Sequence, residues 1–215
     1  MGGRLFLALI ALVAVVGWTQ RDQLPEWRAW ASDLIQRTEL IGPSEEPSEE
    51  LALQAERKLE SLLNDKGGAT ARFSTAEVQS YVEYRLAPQL PPGVNHPEVT
   101  MNDSTVALRV QIQLEELQEQ MSVDALRQLL GDSTSLEAEF EPDVVSPGVA
   151  EVEVLSLRAG AFPIPPLAIP LLLREAGFRT RGGMSRAVVF PVEPRVTAIS
   201  VREGSLEVTT EPRGE

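Results

Sequence analysis

His96 is the single histidine of the chain, set in Gly93-Val94-Asn95-His96-Pro97, and there is no cysteine. A serine-histidine-carboxylate site needs a base that is oriented by an acid and placed on a nucleophile. No G-x-S-x-G elbow stands anywhere to supply that nucleophile. One imidazole without thiolates leaves only carboxylates to complete a zinc site, so His96 reads as an exposed loop residue. Glu137, Glu139, Glu141, Glu151 and Glu153 offer oxygens for a hard cation. Carboxylates at every second residue are the ordinary solvated face of a strand, and nothing marks out a buried pair for glycoside chemistry. The arginines are more pointed. Arg174, Arg179, Arg181 and Arg186 follow one another with only Glu175 between them. Guanidinium forks suit phosphate oxygens, although arginines in an acidic domain also pair with their own glutamates.

Directly before this run stands the most apolar stretch of the folded part, Phe162 to Leu173, FPIPPLAIPLLL. If Phe162, Ile164, Leu167, Ile169 and Leu172 lined a groove with Arg174, Arg179 and Arg181 at its mouth, the pair of features would take an anionic amphiphile. The other reading is a segment that fills the core. No catalytic set, metal site or cofactor motif is assembled, and the chain reads as a non-enzyme.

Over 215 residues there are 19 Lys+Arg against 32 Asp+Glu, net −13. Residues 48–211 alone hold 14 Lys+Arg and 25 Asp+Glu, net −11. That balance argues against nucleic acid, whose affinity rests on cations at phosphates. A hydrophobic fraction of 43% argues against a wholly disordered acidic chain.

The elements that must position these residues follow from periodicity. Ser48 caps a helix whose apolar side is Leu51, Ala55, Leu59, Leu62 and Leu63, stopped by Gly67-Gly68. A short strand, Ala69 to Phe73, leads into Ser74-Thr75-Ala76-Glu77, the signature of a capping box, with Phe73 and Val78 as its staple. The helix runs on through Val78, Tyr81, Val82 and Leu86. From Thr105 to Leu114 the period is two, and Glu98 to Met101 pairs with that strand across Asn102-Asp103. Ser122 caps a short helix, Val123 to Leu130. Leu136, Ala138 and Phe140, with Val152 and Val154, give a second pair of strands with an acidic outer face. An extended run leads to a short helix from Pro170 to Gly177, and strands at 195–202 and 205–210 turn at Glu203-Gly204. The class is α+β, with antiparallel hairpins and three to four helices.

The N-terminus is of another kind. Leu5 to Trp18, LFLALIALVAVVGW, carries no charge and follows Arg4. With its flanks it reaches about 18 residues, just enough for an N-terminal membrane-anchor helix. A cleaved signal peptide is the rival, with a poor cleavage site, and a buried core helix the third reading. Either of the first two puts the rest outside the cytoplasm. Leu24 to Arg37, LPEWRAWASDLIQR, sets Trp27, Trp30, Ala31, Leu34 and Ile35 on one helical stripe, and the three tryptophans of the chain all lie at or before residue 30. That stripe suits a membrane interface or the surface of the domain. The organisation expected is an anchor or signal at 1–20, a juxtamembrane helix and acidic linker at 21–47, a domain at 48–211 and a tail at 212–215.

The order FSTAEVQSYV, VTMNDSTVALRVQIQL, LRQLLG, EVEVLSLRAGAFPIPPLAIPLLL and VTAISVREGSLEV resembles the LmeA-like and YpmS-like extracytoplasmic proteins over Phe73 to Val208. The resemblance implies a long, curved antiparallel sheet wrapped on helices, related to tubular lipid-binding folds, with an apolar groove. It transfers no functional residues. The expectation is therefore a single-pass cell-membrane protein with an extracytoplasmic domain. That domain would bind a phospholipid or other amphiphile without chemistry. The alternative is an envelope structural or protein-interaction module with no ligand, its sheet edge or acidic face meeting a protein partner.

Overall fold

A computed structural model describes residues 46–90, 93–113, 132–175 and 178–212. Ser48, in extended conformation, accepts from the Leu51 N–H at 3.2 Å and opens α1, Glu49–Asn64. Two acidic residues, Glu49 and Glu50, occupy its first turn, where the helix dipole favours them. Ala52, Ala55 and Leu62 are its buried stripe. No basic residue stands in its last turn. Arg195 takes that place from far along the chain: it is buried, and its guanidinium donates to the carbonyls of Leu63 at 3.0 Å, Asp65, and Glu211 at 3.2 Å. One cation thus ties the end of α1 to the end of the last strand. Gly68, at φ +78°, makes this closure possible, since a Cβ there would lie 2.8 Å from the Pro212 nitrogen.

β1, Thr70–Ser74, runs into α2, Thr75–Tyr81, through the full capping box: Glu77 N–H to Ser74 Oγ at 3.2 Å, Ser74 N–H to Glu77 Oε2 at 2.9 Å. A π turn, Val82–Leu86, and a 3₁₀ turn, Ala87–Gln89, end the helix at Pro88, which cannot continue it. Then come the hairpin β2, Val94–Met101, and β3, Val106–Gln113, and the long hairpin β4, Ser133–Ser146, and β5, Val149–Ala159. A two-residue β6, Phe162–Pro163, precedes α3, Ile169–Glu175; β7, Ala187–Pro191, and the hairpin β8, Val196–Arg202, with β9, Ser205–Thr210, close the domain.

The strands form two sheets rather than one. β1-β9-β8 make a three-stranded sheet, and β2-β3-β4-β5-β6 a six-stranded one in which β7 takes the half of β5 that β6 leaves open. All named pairings are antiparallel. The α+β class stands, with three α-helices among the described residues, but the single long curved sheet is corrected. β9 pairs with β1, not with the β2–β3 hairpin, so the chain's last strands belong to a separate sheet. The helix expected at Val123 to Leu130 lies outside the described residues, as do the N-terminal segment Leu5 to Trp18 and the stripe at 24–37.

Among the described residues no helix is long and apolar enough to cross a membrane. The single-pass anchor, the cell-membrane placement and the extracytoplasmic assignment of the domain are therefore corrected to a statement about the α+β domain itself.

Three apolar clusters make the core. Val110, Ile112, Leu136 and Leu157 on the inner face of the large sheet pack with Ile169, Leu172 and Leu173 of α3. Ala55 and Leu62 of α1 meet Phe73, Val196 and Val208 of the small sheet. Val99, Met101 and Val106 meet Val201 of β8, with Val78 and Val82 alongside, and this third cluster joins the two sheets.

Candidate functional site

On the open edges of β1 and β2, side chains already occupy backbone groups that could recruit a strand. Lys58 Nζ bonds the Arg72 carbonyl on the open side of β1 at 3.3 Å and pairs with Glu77 at 2.6 Å. Glu77 in turn takes the Ser74 N–H on that edge. On β2 the buried Gln79 acts as a short extra strand: its Nε2 donates to Pro97 O at 2.8 Å and its Oε1 accepts from Val99 N–H at 2.5 Å. The register slips there, between Asn95 and Glu98, and His96 sits exposed with φ 51°. It stands in the bulge of β2. At the far edge, β7 is covered by residues 179–181, with Val189 N–H to Arg179 O at 2.7 Å and Arg181 N–H to Ala187 O at 3.3 Å. Covered edges of this kind discourage strand addition.

The outer face of the large sheet remains, and it is built of charge. One row across four strands alternates in sign: Glu98, Arg109, Glu137, Arg158. Arg109 pairs with Glu98 at 3.6 Å and with Glu137 at 3.2 Å. In the next row Glu139 accepts from the hydroxyls of Thr105 at 3.0 Å and Ser156 at 3.4 Å. Beyond it β3 has ended, because its pairing with β4 stops at Val106 and Phe140.

From that point β4 and β5 put acids opposite acids. Glu141 faces Glu153 and Asp143 faces Glu151 in register. Like charges directly opposite are unfavourable, so this end of the hairpin needs cations from elsewhere. The 179–186 segment supplies two. Arg186 bonds Glu153 at 2.8 Å and Arg181 pairs with Glu151 at 3.5 Å. Arg186 also reaches the Leu155 carbonyl at 3.4 Å, at the point where β5 holds one residue more than β4. Glu141 and Asp143 stay exposed, and neither has an ion pair among the described residues. Asp143 only accepts from the Val144 N–H at 2.7 Å.

The arginine run is thus divided. Arg181 and Arg186 are spent on the acidic hairpin, Arg174 is engaged within the protein, and Arg179 is exposed beside β7. Of the apolar residues, Ile164, Ile169 and Leu172 are in the core cluster, Phe162 is half-buried in β6, and Leu167 is 79% exposed. The same segment does not face one cavity. Its inward side chains interlock with the sheet, and Leu167 and Leu171 point to solvent. The amphiphile groove is corrected on that ground, and with it lipid binding and the membrane and phospholipid partners. Among the described residues no group of His, Asp and Glu is arranged to hold a metal ion.

Sequence reasoning placed the acidic residues on one strand face but passed over Asp143 and Gln79. Nothing local marks either. Asp143 matters because of what stands across from it, and Gln79 because β2 bulges beside it. Comparison of the chain with protein-family models, with curated proteins and with solved structures gives no match.

Proposed function

We propose that this domain is a non-catalytic protein-interaction module, with no ligand of its own, whose contact surface is the outer face of the β4–β5 hairpin. The observation that carries it is the register of Glu141 with Glu153 and of Asp143 with Glu151, four carboxylates served by two arginines. Such a surface is held at a deficit of positive charge that a partner can make good. The occupied edges of β1, β2 and β7 favour side-chain recognition over strand addition there. A Lys- or Arg-rich protein segment has the complementary chemistry, and charge of this kind speeds and orients association more than it deepens it.

A Lys/Arg-rich peptide titrated calorimetrically onto the full-length chain tests this. Glu141→Gln with Asp143→Asn should weaken binding by about 1 kcal/mol, roughly five-fold in Kd, for two exposed pairs. The loss should shrink as salt is raised. Glu50→Gln with Glu60→Gln, both exposed on α1, removes the same charge elsewhere and should leave binding unchanged. Equal losses in the two variants would reduce the effect to net charge and overturn the site.

A further inference from the structure

On the reading that the β4–β5 hairpin is the contact surface, we propose that Arg181 is a built-in competitor for the partner. It holds Glu151 in the free domain and gives that carboxylate up to a Lys or Arg of the incoming segment. The two arginines that serve the hairpin are not equivalent. Arg186 is fixed: its guanidinium donates to Glu153 at 2.8 Å and to the Leu155 carbonyl at 3.4 Å, and its own carbonyl accepts from the Val154 N–H at 3.0 Å. Arg181 approaches Glu151 only to 3.5 Å, and its side chain is 63% exposed. Glu151 is the reverse, 16% exposed. Its Oε2, the atom that Arg181 approaches, is buried and accepts no hydrogen bond among the described residues. A buried carboxylate oxygen is best served by a charged donor at hydrogen-bond distance, and here it lacks one.

The local backbone lets this pair part without opening the fold. Arg181 N–H bonds the Ala187 carbonyl at 3.3 Å, so its main chain stays beside β7 while the side chain swings away. Gly182 and Gly183 follow, and a Cβ on either would meet nothing within 4 Å, which leaves free space for a partner chain next to Arg181. Across from Glu151 stands Asp143, exposed and bonded only to the Val144 N–H. Residues opposite one another in an antiparallel ladder hold their Cβ atoms about 4.5–5.5 Å apart. A cation arriving over the hairpin therefore meets two carboxylates, whereas Arg181 pairs with Glu151 alone. Displacing Arg181 is a small step, because an ion pair with an exposed cation changes an equilibrium by up to about five-fold. Being tethered, Arg181 confronts every partner at high effective concentration, and that factor is the restraint it places on binding.

Calorimetric titration of the same Lys/Arg-rich peptide onto the full-length chain reads the competition directly. Arg181→Gln should tighten binding by about two- to five-fold. Arg181→Lys keeps the charge and should stay near the parent affinity. Arg57→Gln removes the same charge from an exposed position on α1 and should change nothing. In Arg181→Gln combined with Glu151→Gln the gain should vanish, since the contested carboxylate is gone. Equal tightening by Arg181→Gln and Arg57→Gln would reduce the effect to net charge and overturn the proposal. An unchanged or weaker affinity in Arg181→Gln, with Glu141→Gln and Asp143→Asn still weakening the parent, would remove the competitor and leave the hairpin surface standing. A peptide that binds no variant, or binds the Glu141→Gln, Asp143→Asn form as well as the parent, sinks the hairpin reading and the competitor with it.

Discussion

Gln79 shows how much one uncharged side chain can settle. Buried on α2, it gives β2 both a donor and an acceptor where the strand bulges. Gln79→Leu keeps the volume and removes both bonds, leaving the Pro97 carbonyl and Val99 N–H without partners. Each orphaned buried group costs about 1–3 kcal/mol, so a loss of roughly 2–6 kcal/mol is expected in urea denaturation. Leu172 makes the complementary case for apolar packing. At 2% exposure it packs in the core cluster of the large sheet. Leu172→Trp should destabilise by about 1–3 kcal/mol through overpacking. A neutral outcome would mean that free volume adjoins α3 after all.

At the scale of the element, α2 is short for a helix, seven residues, yet it is the seam between the sheets. Glu77 bonds the edge of β1 and Gln79 the edge of β2, two residues apart and so on opposite sides of one helical turn. A helix this short is not stable by propensity, so its start must be fixed from outside. The capping box does this. Ser74→Ala should lower stability by about 1 kcal/mol. It should also raise amide exchange selectively in α2 and along the outer edge of β1, because Glu77 loses its reciprocal bond there. Uniform exchange with an unchanged denaturation midpoint would show that tertiary packing alone holds the helix start.

For the whole molecule, the question is whether two sheets behave as one body. The third core cluster says that they do, since Val201 of the small sheet lies among Val99, Met101 and Val106 of the large one. Val201→Ala should cost roughly 1–3 kcal/mol and weaken protection in both sheets together. Unfolding of the small sheet alone, at a lower denaturant concentration, would divide the domain into two units. Charge is also organised at this scale. Arg72 pairs with Glu207 across the small sheet, Arg85 with Glu49 and Glu56, Arg109 with Glu98 and Glu137, and Arg181 and Arg186 with the hairpin. Pairing takes up acids and cations together, so the net charge of the domain is carried by acids outside these pairs, Glu141 and Asp143 among them.

The sequence by itself determined whatever depends on near neighbours. The Ser48 cap, the Ser74–Glu77 box, the alternation from Val106 to Ile112 and the Glu203-Gly204 turn, whose residues take φ 49° and 69°, are local matters of hydrogen bonding and backbone sterics. The strand β7 escaped that reading, since Ala187 to Pro191 has no alternation and takes its form from pairing with β5. So did the division into two sheets, because antiparallel hairpins can be joined edge to edge or stacked without any change in their own pattern. The fate of residues 162–173 was undecidable locally for a related reason: an apolar run is the same run whether it lines a groove or fills a core, and only the packing of Ile169, Leu172 and Leu173 on the sheet decided it. Likewise the acidic face was visible as alternating glutamates, but its imbalance was not. Which acid stands opposite which, and which arginine reaches them, is a question of register between strands and segments far apart in the chain, and register is fixed only when the tertiary structure closes.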